Sequence, residues 1–137
     1  MKNASPYFES AHIRIFWDEQ MQCVVGEWLG FAKGNDFRKP LVKGLELARN
    51  MRARKWLADT RKLGVVTKDD LEWHEKELIP QFVQAGVRYV ATVIPEDVFA
   101  KWSLEALKQA KELKESALIV NTFGTLDEAK AWLTRQQ

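Results

Sequence analysis

The sequence predicts an α/β domain built on a five-stranded mixed sheet, and three observations lead to it. From residue 22 onward, short runs rich in β-branched and aromatic residues alternate with amphipathic segments of helical period. The first two apolar runs are instead separated only by a short turn, Asp18 to Met21, which fits a hairpin. The composition, 46% hydrophobic and 29% charged over 137 residues, is that of one packed globular domain. The expected order is a β-hairpin followed by αβαβαβα, with the first strand antiparallel at an edge, the rest parallel and about four to five helices. A single domain, 1–137, is expected, with its core at about 10–134.

Each element has a local reason. HIRIFWD (12–18) and QCVVGEWLG (22–30) make the hairpin, with Ile13, Ile15 and Trp17 on one face and His12 and Arg14 on the other, so the first strand reads as a half-exposed edge. Asn35 or Asp36 offers an N-cap to a helix over about 36–53, in which Phe37, Leu41, Leu45, Ala48 and Met51 recur at spacings of four and three. Pro40 falls near its first turn, where a missing N–H costs little. WLADT (56–60) is a short buried strand.

Thr67 with Lys68, Asp69 and Asp70 starts the next helix, whose buried stripe is Leu71, Leu78, Phe82 and Ala85. Gly86 is its left-handed cap. Pro80 lies inside that helix and predicts a kink. VRYVATVI (87–94) is a strand, EDVFAKW a short helical turn, and Ser103 caps a helix carrying Leu104, Leu107, Ala110 and Leu113. ALIVNTF (117–123) is the last strand, and Thr125 to Glu128 forms a capping box for the terminal helix.

Composition also restricts function. A net charge of +2 is too small to argue for a nucleic-acid partner, and none is expected, although residues 1–68 carry +6 and residues 69–137 carry −4. Arg49, Arg52, Arg54, Lys55, Arg61 and Lys62 are candidates for one basic patch or, more simply, for cations near a helix C-terminus. The apolar runs are about half the roughly 20 residues that cross a bilayer. A lone Cys23 and a start, MKNASPYFESAH, without a signal-peptide run make a reducing cytosol the expected compartment.

No motif identifies a reaction. GFAKGND lacks the GK[ST] of a phosphate-cradling loop, and HEKEL lacks the second histidine of a zinc-binding HExxH helix. Cys23 reads as a core residue. No cofactor and no metal site is expected. The remaining place for a site is the carboxyl edge of the parallel strands, where Gly30 to Gly34, Asp59 with Thr60 and Arg61, Pro95 with Glu96 and Asp97, and Asn121 with Thr122 gather. Six tryptophans are mostly core, with Trp73 and Trp102 placed to line a pocket or a contact surface.

The element order, with KWLADTRKLGVVTKDDLEW, AGVRYVATVIPEDVFAKWS and TFGTLDEAKAWL, resembles the bacterial STAS-like family, named for sulphate transporters and anti-sigma-factor antagonists. The likeness is to its small stand-alone branch, which is also compared with lipid-binding CRAL-TRIO domains, and it covers about residues 10–134. The resemblance implies protein recognition rather than catalysis. In signalling members a serine or threonine at the start of the helix after the third strand is phosphorylated. The matching place here is Val66 to Asp70, with Thr67 as phosphoacceptor candidate and Asp59 as the acid ending the preceding strand. The signalling pattern, Asp-Ser-Ser-Gly, is replaced by one hydroxyl followed by Lys68 and two aspartates, which suits a helix cap first.

Three readings follow. A non-enzymatic cytosolic regulatory or adaptor domain would bind a protein partner through Asp59, Thr60, Arg61, Lys62 and Thr67. A small-molecule or lipid carrier would hold an apolar ligand among aromatic residues such as Phe31, Phe99 and Trp102. An enzyme would have to draw acid and base from Asp59, Glu96 and Asp97, without a nucleophile or cofactor motif. The half-polar edge strand leaves room for a homodimer.

Overall fold

Ile13 and Ile15 are fully buried and alternate with partly exposed neighbours, as period-two patterning demands, and they anchor the hairpin of β2 (Ile13–Asp18) and β3 (Cys23–Trp28). The computed structural model describes residues 5–95, 102, 105 and 111–137. A two-residue strand, β1 (Phe8–Glu9), pairs antiparallel with β2, so the sheet has six strands rather than the expected five. The strand expected at the edge is therefore interior. The signal for β1 is weak because two residues in YFES carry no period.

β4 (Lys55–Asp59), β5 (Tyr89–Val93) and β6 (Ile119–Phe123) follow in parallel, giving the order β1-β2-β3-β4-β5-β6. Because sequence order equals spatial order, successive crossovers fall on one face. That face carries α1 (Asn35–Met51), α2 (Lys68–Trp73), a π-helical segment (His74–Leu78) and α3 (Ile79–Ala85). After a single turn, α4 (Lys111–Lys114), the chain passes through β6 into α5 (Leu126–Arg135), which packs on the other face. Three helical stretches of ten or more residues are thus described, α1, the composite Lys68–Ala85 and α5, fewer than the expected four to five. The turn expected at 96–102 and most of the helix from Ser103 lie outside the described residues.

One local expectation, the N-cap of α1, is corrected, and the setting of Pro80 is specified. Gly34, not Asn35 or Asp36, is the N-cap of α1; it adopts φ 58°, ψ −132°, open to glycine and strained for any other residue, and makes no side-chain cap. Pro80 is accommodated by the π segment that precedes it: Ile79 N–H reaches back to the carbonyl of His74, five residues away, and Pro80 falls in the first turn of α3.

The core is divided by the sheet. On the helix-covered face Trp28 stacks on Phe37 at 5.4 Å, and Trp56 meets Phe82 edge-on at 4.7 Å. A Cβ on Gly44 of α1 would overlap the Trp56 indole, so this glycine is what lets the helix settle on the sheet. On the other face Cys23, Leu57, Ala91 and Val93 pack against Ala129 and Leu133 of α5. Burial pushes the Cys23 thiol up to about 12, as expected of a core residue.

Candidate functional site

The turn after β4 is pinned on one side and open on the other. Buried Thr60 donates both its N–H, at 3.1 Å, and its hydroxyl, at 2.6 Å, to the carbonyl of Val93 at the end of β5. Leu63 and Val66 are 2% exposed and anchor the descending chain in the core. What remains outward is Arg61, Lys62 and, further along, Val65.

Asp59 organises that outward pair. Its Oδ1 accepts Nε of Arg61 at 2.9 Å and its Oδ2 accepts Nη2 at 2.7 Å, while the Arg61 N–H lies 3.3 Å from Oδ1. Such a two-pronged pair fixes the guanidinium plane. The carboxylate is 9% exposed and its arginine 46%, so the pair presents cationic donors to solvent from a buried anchor. The hydrogen bond to Asp59 is the main reason the Arg61 pKa is raised.

Asp59 also borders an open groove of about 670 Å³ on the α5 side of the sheet, with a floor of Phe16, Val25 and Leu57 and a charged margin that includes Glu27 and Lys130. Arg14, in the same groove, pairs with Glu27 at 3.3 Å and with Glu9 at 3.5 Å. The groove residues Arg14, Glu27 and Lys130 were not singled out from sequence. Glu27, a carboxylate inside the apolar run CVVGEW, was the available signal.

Thr67 is placed differently. It is the N-cap of α2: its hydroxyl oxygen accepts the Asp70 N–H at 3.3 Å, and the hydroxyl donates to Asp70 Oδ2 at 2.9 Å. Asp70, 1% exposed, further accepts the Gly34 N–H at 2.9 Å and Arg38 Nε at 2.8 Å. The carboxylate thus ties α2 to the start of α1 and receives the threonine hydroxyl. Arg38 also lies over the Trp73 ring.

The expected basic patch divides. Arg49, Arg52, Arg54 and Lys55 lie at the end of α1 and the start of β4, whereas Arg61 and Lys62 follow its other end, roughly 13 Å of strand away.

A cavity of about 110 Å³ lies on the helix-covered face. Its wall includes Trp56, Val90 and Val120 in one row across the sheet and Thr92 and Thr122 in the next, and His74 of the π segment also contributes to it. Phe31 and Trp102, expected to line such a pocket, are 51% and 77% exposed and are not part of this wall. The strand aromatics line it instead, because strand alternation turns Trp28 and Trp56 inward. Phe99, with Glu96 and Asp97, lies outside the described residues. Among the described residues no group of three His, Cys, Asp or Glu side chains is arranged to hold a metal ion.

The architecture has a solved counterpart. An uncharacterised protein of the DUF3478 family from Shewanella loihica PV-4, described as having a SpoIIAA-like fold, superposes with a TM-score of 0.58 over 92% of this chain and 98% of that one. The fold is SpoIIAA-like. At 15% identity the likeness establishes the fold alone, and it agrees with the STAS-like resemblance of the sequence. No family model and no curated protein matches the sequence. Among the described residues no helix of this SpoIIAA-like domain is long and apolar enough to cross a membrane.

Proposed function

We propose that this domain is a non-enzymatic cytosolic regulatory or adaptor module whose protein partner docks on the carboxyl edge at Asp59, Thr60, Arg61 and Lys62. The observation that carries the reading is the two-pronged Asp59–Arg61 pair, a guanidinium oriented by a buried carboxylate yet about half exposed. A side chain ordered in this way loses little freedom on binding, which favours it as a contact residue. Lys62 beside it and the adjoining groove extend the surface, and their chemistry suits an acidic segment with apolar side chains for the Phe16–Leu57 floor. Thr67 contributes as the cap that holds the helix behind this edge.

The test is affinity capture from the source organism with wild-type protein, with Arg61→Glu/Lys62→Glu, and with Lys62→Glu alone, which spares the Asp59 pair. Loss of the same protein from both variants, with folding unchanged by circular dichroism, supports the surface. Retention of every captured protein rejects it.

A second reading, a carrier of small apolar molecules, is favoured by the cavity on the helix-covered face. The two readings share Thr60, which also lines the cavity, but Arg61 and Lys62 lie outside its wall, so they are separately testable.

A further inference from the structure

The two edges of the sheet are finished differently. β1, at one end, is two residues long and includes the charged Glu9, a finish that discourages further pairing. β6, at the other end, is five residues long, Ile119–Phe123, and contains no charge, no proline and no glycine. An edge of that kind is a template for another strand.

The backbone shows which groups are offered. Ile119 donates its N–H to the Arg88 carbonyl at 2.8 Å and the Phe123 carbonyl accepts the Ile94 N–H at 2.9 Å, so the odd-numbered residues of β6 face β5. The N–H and C=O of Val120 and Thr122 therefore point away from the sheet. Among the described residues no strand pairs with that side. Asn121 is held from α5: its side-chain oxygen accepts Trp132 Nε1 at 3.2 Å, and its nitrogen donates at 3.1 Å to the Val120 carbonyl, which has a second lone pair.

This edge is matched to itself. With two copies of β6 antiparallel about a twofold axis at Asn121, Val120 lies opposite the partner's Thr122 and Thr122 opposite the partner's Val120. Both pairs exchange N–H and C=O, and every outward group is used. Moving the axis by one residue sets one pair against Leu118, whose N–H is already on Ser116 Oγ, or against Gly124 beyond the strand. On the α5 face the same register sets Ile119, 40% exposed, against the partner's Phe123, a favourable β-branched–aromatic pair, and sets uncharged Asn121 against itself. Phe123 already packs on Trp132 at 5.7 Å, so the incoming isoleucine extends an existing cluster.

We propose that β6 pairs antiparallel with β6 of a second copy about Asn121, giving a homodimer with one sheet continuous across both chains. The edge lies apart from Arg61 and Lys62, which follow β4, so the outcome leaves the partner surface at those residues standing.

The experiment is equilibrium sedimentation of the full-length protein over a concentration series, with cysteine crosslinking to fix the register. Wild type should dimerise. Thr122→Pro removes an outward N–H without touching the bonds to β5, and with its symmetry mate this breaks half of the intermolecular set; the dimer dissociation constant should rise about tenfold or more. Ile119→Lys, at an exposed position of the single chain, should weaken the dimer comparably by setting a charge on the partner's Phe123. Under mild oxidation Asn121→Cys should give a disulfide-linked dimer, since position 121 meets itself. Ile119→Cys should not, because its two copies lie roughly 13 Å apart along the pair. A monomeric mass at every concentration overturns the proposal, whether or not another chain binds this edge. So does a dimer that both Thr122→Pro and Ile119→Lys leave intact, or crosslinking from Ile119→Cys equal to that from Asn121→Cys. Should Thr122→Pro not fold, Ile119→Lys and the crosslinks decide.

Discussion

Asp70 and Asp59 each hold an arginine at 2.7–2.8 Å, on opposite faces of the same sheet, yet their surroundings differ in what is left over. Asp70 accepts from Gly34, Thr67 and Arg38, and all of these bonds join the elements of the helix-covered face to one another. Asp59 serves chiefly to orient Arg61, whose outer side faces solvent above an open groove. A closed network that consumes its donors is a staple. A buried anchor that leaves donors outside is a contact surface. The same residue pair therefore has two meanings, and the neighbouring hydrogen bonds separate them.

The largest expected effect lies on the closed side. Asp70→Ala removes the acceptor of the Gly34 N–H and the Thr67 hydroxyl and leaves Arg38, 34% exposed, with only the Asp69 carbonyl, and should cost about 2–4 kcal/mol in urea denaturation. A cost under about 1 kcal/mol would show that the staple has been misassigned. Next is Gly44→Ala, which ordinarily strengthens a helix. Here the added methyl meets the Trp56 indole, and overpacking should destabilise by about 1–3 kcal/mol. A stabilised variant would mean that the covered face is looser than its packing indicates.

Acid offers a comparable test without mutation at the staple. The unfolded chain's His74 titrates near the ordinary 6.5 and the folded one near 4, so the unfolded state binds more protons between these values. Stability contributed by the neutral, desolvated ring is complete above pH 6.5 and is lost as pH falls through about 4, by about 1–3 kcal/mol. Denaturation midpoints at several pH values should show His74→Leu with a shallower slope than wild type; parallel slopes would place the acid sensitivity elsewhere.

Smaller effects complete the contrast. Thr67→Ala removes a cap and should cost about 1 kcal/mol. Asp59→Asn, whose arginine can turn to water, should stay within about 1 kcal/mol while reducing partner capture. If it destabilised as much as Asp70→Ala, the two pairs would be equivalent and the distinction would collapse.

The fold was legible where period and punctuation agreed. Ile13 and Ile15, the heptad-like spacing of α1, Gly86 and the Thr125 box each gave one unambiguous local instruction. β1 was missed because two residues have no period, and the Gly34 cap because its support comes from Asp70, 36 residues away. The candidate site was half legible. Asp59, Arg61 and Lys62 follow from their place after a strand, and Thr67 was read as a cap. The groove depends on strand register that brings Glu27 opposite Asp59, and the cavity on how rows of three strands align. Spatial pairing of this kind leaves little trace in linear order, which is why Phe31 and Trp102 stood in for Trp56 and His74.

The most direct test of the central claim is site-specific photo-crosslinking in the source organism. A photoreactive side chain would replace Lys62 at the open edge and, in parallel, exposed Arg49 at the far end of α1. Recognition at the carboxyl edge predicts a discrete crosslinked partner from position 62, absent from position 49 and lost on Arg61→Glu. Equal crosslinking from both positions, or none from position 62 while position 49 captures a partner, would contradict it.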